Sequence, residues 1–373
     1  MDQGRPGGAA AASRASGRRT RRRPGAAGVP LQIRCVAVAR ARPRRAPGVG
    51  LPAVLARAVL PRRSHLNEEH VLIHQTHPAD IHTDTETALC AAIRAYSSGD
   101  TTTAHSAAVQ ARALDPDSEL ARLLAVIIAG CDAAGVYDSP AAFRAFIRGG
   151  GNIGLYEATS GALRELYQRH RPQRLLDIGT GDGMALLPAL TEHSPAVGVV
   201  EPSAALLAET TAELTRRGIP HLAWPCTAQD FTATHTRRWD LVQSTFALQS
   251  LPEADKARVL RWIAAHTDRF VLVEFDVPEV ESVWEPAWFR DCLARLERGL
   301  REYDDDRDLV GAGFILPVIL GKFGTSTPTN YELAIDAWEA LLREAGFAGI
   351  TTRRLADYWW RPAFLGEAVT GAG

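Results

Sequence analysis

Leu175-Leu176-Asp177-Ile178-Gly179-Thr180-Gly181-Asp182-Gly183 is the stretch that decides the fold of this chain. A short apolar run interrupted by a single acid suits a strand buried on both faces. Glycines then stand at every second position, and an apolar helical pattern starts behind them. Glycine permits a tight turn and a close backbone approach to a ligand. The helix behind the turn offers free N–H groups and a favourable dipole to a carboxylate or phosphate. The spacing is G-x-G-x-G. The dinucleotide fingerprint G-x-G-x-x-G asks for a small residue at position 184, where Met184 stands. That disfavours an NAD-dependent oxidoreductase.

On the carboxyl side of this turn the chain alternates between two periods. Apolar runs fit strands at Arg174 to Ile178, Val197 to Glu201, His221 to Trp224, Asp240 to Ser244 and Phe270 to Phe275. Helical patterns separate them at Gly183 to His193, Ala204 to Arg217 and Glu253 to His266. Such β-α alternation predicts a doubly wound α/β fold with a mostly parallel, Rossmann-like sheet. After the fifth strand residues 278–330 read as an insertion. A helix over Tyr331 to Ala345 follows, and Ile350 to Leu355 with Phe364 to Val369 would close a seven-stranded sheet as an antiparallel pair.

On the amino side, residues 66–148 read as an N-terminal helical region before a domain over 149–373. Glu86 to Ala113 gives two helices broken at Ser97-Ser98-Gly99-Asp100, in the register of one tetratricopeptide-like hairpin. Ala88, Ala91 and Ala92 replace the large aromatics of that repeat. A lone repeat cannot bury its own face, so a cover packed on the following domain is expected. Glu119 to Ala134 and Pro140 to Arg148 are further helices, and Gly149-Gly150-Gly151-Asn152 is read as a hinge.

Residues 1–65 carry fifteen arginines and a single acid, Asp2, so the formal net charge of −1 hides a strongly basic tail. Its Arg/Ala/Gly/Pro composition predicts disorder. Three readings compete: a nucleic-acid or acidic-surface contact, a transit peptide, and a start assigned upstream of the real one. The last accords with a GC-rich coding bias, in which Lys256 and Lys322 are the only lysines. Under it a non-ATG start near Val71 would serve. Five scattered cysteines without CxxC spacing argue for a reducing, cytoplasmic setting. No apolar run is long enough to span a bilayer. His70, His74, His77 and His82 lack the further ligands of a metal site, so no metal is expected.

The neighbours of the glycine turn carry the chemistry. Glu201 closes the second strand about twenty residues on, where an acid can bond both ribose hydroxyls. Ala228-Gln229-Asp230-Phe231 follows the third strand, and Trp239-Asp240-Leu241-Val242-Gln243-Ser244 supplies the fourth. In this order and spacing, residues from about 150 to 373 resemble the class I S-adenosylmethionine-dependent methyltransferases, in particular the small-molecule enzymes of bacterial natural-product pathways. The resemblance implies S-adenosylmethionine as cofactor. Gly179 and Gly181, with Thr180 between them, would face its methionine portion, and Asp177 would help hold the amino group. Glu201 would bind the ribose, Gln229 and Asp230 would flank the adenine, and Gln243 would lie beside the methyl donor. Tyr156 would stand over the cofactor carboxylate, although it suits a plain core position equally well.

The chain also departs from the family. No Asn/Asp-Pro-Pro-aromatic motif follows the fourth strand, and Gln249-Ser250 stands where many small-molecule relatives carry a histidine pair. Glu274 and Asp276 after the fifth strand are the remaining candidates, with Gln243, for catalytic roles. Trp284, Trp288 and Trp360 are candidate walls for a small organic substrate, each also suited to core packing. A small-molecule acceptor is the expected partner. Membrane and nucleic acid are disfavoured, and a homodimer is compatible with the pattern. A non-catalytic module binding S-adenosylmethionine or a nucleotide is the alternative function.

Overall fold

The computed structural model describes residues 78–130, 139–191, 195–323 and 330–371. The basic tail and His70, His74 and His77 lie outside them. Four helices come first: α1 (Pro78–Ser97), α2 (Thr101–Leu114), α3 (Glu119–Gly130) and α4 (Pro140–Ile147). Asp100 starts α2 by accepting the Thr103 N–H at 3.0 Å. Ala104, Ala107, Ala108 and Ala111 then recur at helical spacing and are all buried. Ala88, Ala92 and Ala95 of α1 join the same cluster. Small residues thus replace the expected aromatics because the two helices pack on one another through their alanine faces.

The sheet layer begins with α5 (Asn152–His170) and continues as β1 (Arg174–Ile178), α6 (Leu186–Ala189), β2 (Ala196–Val200), α7 (Ala204–Arg216), β3 (His221–Trp224), α8 (Ala228–Thr234), β4 (Leu241–Thr245), α9 (Glu253–His266) and β5 (Arg269–Phe275). The strand order is β3-β2-β1-β4-β5-β7-β6, with β6 (Phe347–Ala356) and β7 (Ala363–Thr370) as the closing pair. The first five strands are parallel, and β7 runs antiparallel to both β5 and β6. The sheet is therefore the seven-stranded, mostly parallel one expected. Its order reverses between β1 and β4, and ligands bind beyond the carboxyl ends of strands at such a point.

Side chains alternate across the strands and build two cores. Leu175, Val197, Leu241, Val271 and Val273 meet Leu163, Leu166 and Tyr167 of α5 and Leu207 of α7. Leu176, Val242, Phe270 and Leu272 meet Val259 and Ile263 of α9 and Trp338 of α13 (Ile335–Ala345). A third cluster joins α1 to α3 with the insertion, which forms α10 (Pro286–Arg301), α11 (Arg307–Val310), a π-turn over Gly311–Ile315 and α12 (Leu316–Phe323). Glu297 of α10 binds the start of α3, accepting from Glu119 N at 3.0 Å, Leu120 N at 2.9 Å and the Ser118 hydroxyl at 3.0 Å. We call this body the cap.

Three local expectations change. The helix after the glycine turn is only Leu186–Ala189, because residues 179–183 are consumed by a turn with three left-handed glycines and the chain leaves extended at Leu190. The helix expected from Tyr331 begins at Ile335, because Tyr331 N pairs with Gln249 O at 2.7 Å and Val277 N with Leu333 O at 3.2 Å. The glycine run before α5 is a packed seam rather than a hinge. Gly151 N donates to Glu302 at 2.8 Å, and a Cβ there would lie 2.8 Å from that carboxylate oxygen. Among the described residues no helix is long and apolar enough to cross a membrane, and no group of three or more His, Cys, Asp or Glu could hold a metal.

Candidate cofactor and acceptor site

Asp177 is the last buried acid of β1, placed on the α5 face by the strand alternation that turns Leu175 the same way. Parallel pairing sets it beside Gln243 of β4. The Tyr167 hydroxyl donates to Gln243 Oε1. Asp177 Oδ1, Thr180 Oγ1 and Gln243 Nε2 are buried without a hydrogen-bond partner. Burial pushes the Asp177 carboxyl up to about 6, a rise that Thr180 and Gln243 offset only in part. An acceptor, a hydroxyl and an amide donor thus lie together at the sheet's switch position, where Thr180 and Gln243 reach Asp177 only through loose contacts that fall short of standard hydrogen-bond geometry.

The turn above them is built on backbone. Gly179 N and Thr180 N both donate to Val200 O, at 2.8 and 3.3 Å. A Cβ on Gly179 would lie 2.3 Å from Ala247 Cβ, so only glycine lets the turn meet the segment after β4. Gly181 has φ +57°, its N–H donates to Glu201 Oε2 at 3.0 Å, and nothing lies within 4 Å of where its Cβ would be. Open space over a left-handed glycine is the room a ligand needs. Glu201 Oε1 accepts from Ser203 N at 2.8 Å. Burial raises the Glu201 carboxyl above its ordinary value against the pull of these two N–H groups.

Gln229 and Asp230 lie in the first turn of α8, a helix the strand-and-loop reading lacked. Asp230 is exposed, and its Oδ2 accepts from the Thr227 hydroxyl at 2.9 Å. Gln229 Nε2 is turned toward Asp255 of α9 at 3.1 Å, while its Oε1 is buried without a partner. Tyr156 of α5 is half-buried and meets Phe246 edge-on, with ring centroids 5.9 Å apart.

The catalytic candidates do not converge. Gln243 shares the α5 face with Leu241, whereas Glu274 shares the opposite face with Phe270 and Leu272. Glu274 is fully buried, and its Oε1 accepts from Gln249 N at 3.1 Å. Asp276 Oδ1 accepts the first N–H of α13, Ile335 N, at 2.9 Å. Of the tryptophans, Trp288 and Trp360 are buried in the cap, and the Trp360 indole donates to Glu332 at 2.8 Å. Trp284 is half-buried against Phe323, at 4.9 Å between centroids, with Arg94 over its ring. The aromatics that stand at the strand ends are instead Phe246 and Phe275, stacked at 4.9 Å, with Tyr358 stacked on Phe275 at 5.3 Å. Sequence reading singled out the run Tyr358-Trp359-Trp360 near the closing hairpin but missed Phe246, Phe275 and Tyr167. The apolar run after β4 contained Phe246, but nothing in it marked a left-handed backbone.

The doubly wound sheet, the glycine turn against Val200 and the buried polar set at Asp177 define a Rossmann-like domain with polar groups at the sheet's switch point. Residues 155–312 match the family model described as a methyltransferase domain. Those residues are a methyltransferase domain. Among solved structures the chain is similar to the mitomycin 7-O-methyltransferase MmcR, at 18% identity and TM-score 0.42, over 73% of this chain and 71% of that one. It is also similar to magnesium protoporphyrin IX methyltransferase from Synechocystis PCC 6803 with bound SAH, at 15% identity and TM-score 0.41, over 59% of this chain and 84% of that one. No match was found among curated proteins.

Proposed function

We propose that this methyltransferase acts on a small organic acceptor in bacterial secondary metabolism, held where the carboxyl ends of β4 and β5 meet the cap. The observation that carries this reading is the half-buried pair Phe246 and Phe275 at those strand ends. Both pack against the cap cluster as well as the strands that bear them. Aromatic walls with few polar groups suit a small, largely apolar ligand.

When bound, S-adenosylmethionine supplies a methyl group already activated on a sulfonium centre. The residues present fit it. Asp177 and Thr180 offer polar atoms to its amino-acid end, Gly179 and Gly181 bring backbone close, Glu201 serves the ribose hydroxyls, and Gln229 and Asp230 the adenine. Gln243, held by Tyr167, fixes the floor beside Asp177. Glu274 is turned to the other face and Asp276 is engaged at α13, so neither is proposed as a base. The chain's contribution is then alignment and exclusion of water, and an acceptor that ionises readily needs no more. The test is mass spectrometry after incubation of the full chain with isotope-labelled S-adenosylmethionine and a panel of phenols, carboxylic acids and amines. A labelled small product is expected. Labelling of added protein or nucleic acid, with none of the small acceptors, would overturn the acceptor class.

A further inference from the structure

Among the described non-glycine residues only Arg171 and Phe246 have positive φ, 46° and 52°. Arg171 closes the carboxyl end of α5, an ordinary place for a left-handed residue. Phe246 has no such excuse. It is a bulky side chain directly after β4, and a strained backbone there persists only if its surroundings over-determine it.

They do. Phe246 N donates to Val273 O at 2.8 Å, and Phe246 O accepts from Gln249 Nε2 at 3.1 Å. Ser250 Oγ donates to Ala247 O at 2.7 Å. Gln249 is itself held by both its backbone groups. Its N–H donates to Glu274 Oε1 at 3.1 Å, and its carbonyl accepts from Tyr331 N at 2.7 Å. The carbonyl of Tyr331 in turn accepts from the buried Lys256 ammonium. The side chain so fixed is half-buried, with Phe275 stacked on one side and Tyr156 edge-on. The wall behind Phe275 is fixed too: Tyr358 stacks on it and donates to Asn152 Oδ1 at 3.1 Å.

We propose that Phe246 is the wall against which the transferable methyl group is presented, and that Glu274, acting through Gln249, is the positioning residue that holds Phe246 in its left-handed conformation. This rests on the methyltransferase reading and adds to it a role for two residues outside the cofactor set. Glu274 is no base in this account. It lies on the far face of the sheet from Gln243, and the oxygen it shows to the turn is occupied by a backbone N–H.

The test uses S-adenosylmethionine carrying a carbon-13 methyl, bound to the full chain without acceptor, and follows the methyl resonance by NMR beside the affinity measured by calorimetry. In the wild type the ring current of Phe246 moves the bound methyl away from its free position. Phe246→Leu keeps the bulk and removes the ring, so the resonance should return most of the way while affinity stays within about threefold. Glu274→Leu removes the acceptor of the Gln249 N–H and should give an intermediate, broadened resonance. Glu274→Gln keeps an acceptor oxygen and should restore the wild-type signal. Should Glu274→Leu fail to fold, Gln249→Ala removes only the bond to Phe246 O and should broaden the methyl signal in the same way. An unmoved resonance in Phe246→Leu with cofactor bound overturns the role of Phe246. A wild-type resonance in Gln249→Ala and Glu274→Leu, or a Glu274→Gln that behaves as Glu274→Leu, overturns that of Glu274. Failure of the wild-type chain to bind the cofactor would instead defeat the underlying methyltransferase reading.

Discussion

Asp177 illustrates how a single side chain reconciles folding with binding. Burial raises its carboxyl from 3.8 to about 6. Between those values the folded chain holds the proton more tightly than the unfolded one, so stability falls as pH rises through this window and the cost is complete above it. At about 1.4 kcal/mol per pKa unit that cost is about 3 kcal/mol. Asp177→Asn should therefore be more stable than wild type near pH 7 and no more stable near pH 3, as read from denaturant melts. It should also lose cofactor affinity, because an ionised acid is what a cofactor ammonium needs. For the same reason wild-type affinity should weaken below about pH 6. An Asp177→Asn chain with unchanged affinity would remove Asp177 from the site. At Gly181 the expectation is different in kind. Its φ of +57° makes any side chain strained, by roughly 1–2 kcal/mol, but the space above it is open. Gly181→Val should fold with a modestly lowered Tm and fail to bind the cofactor. Normal calorimetric affinity in that variant would contradict the pocket. The strand-end place of Asp177 and the turn at Gly181 were legible in the sequence because glycine spacing and a strand-end acid are local signals. The strain at Phe246 was not, since it is imposed by Val273, Gln249 and Glu274 from other elements.

The strands were readable for the same local reason: parallel strands are short apolar runs, and both buried β1 and β3 at the exposed edge of the sheet carry the limits the pattern gives. Elements whose bounds are set by partners distant in sequence were not. Extended pairing of Tyr331 and Leu333 with Gln249 and Val277 delays α13. The catalytic assignment of Glu274 suffered similarly, because strand register decides which face an acid takes and one residue reverses it. Element ends also carry a testable energy. Glu297 serves as a remote N-cap for α3, taking two backbone N–H groups and one hydroxyl. Glu297→Ala should cost about 1–2 kcal/mol by the usual loss on removing a cap. The loss should appear as a lower Tm with cofactor affinity unchanged. A fall in affinity equal to the fall in stability would mean that α3 reaches the cofactor loop more directly than these contacts provide.

At the scale of the whole molecule the question is whether the cap is one body. Residues from α1, α2 and α3 share a continuous apolar cluster with α10, α12 and Tyr358–Trp360, although more than 150 positions of sequence separate the two groups. Charge contacts follow the same seam: Arg307 of α11 bonds Glu119 at 2.7 Å, and Arg301 donates to Asp117 O at 3.0 Å. Trp288 sits in this cluster, 8% exposed, with Phe323 edge-on at 6.1 Å and the Arg361 guanidinium 5.9 Å from its ring. Truncating such a residue removes its apolar burial and leaves a cavity, a loss of about 3–5 kcal/mol. If the cap is one cooperative unit, that loss is felt across all of it, because local opening follows packed units rather than chain order. Hydrogen exchange on Trp288→Ala should then show α1 to α3 and α10 to α12 losing protection together, while β1 to β5 stay protected and cofactor affinity changes little. Loss confined to α10 would mean that the N-terminal helices stand without the insertion. Loss that spreads into β4 and β5 would mean that cap and sheet open as one.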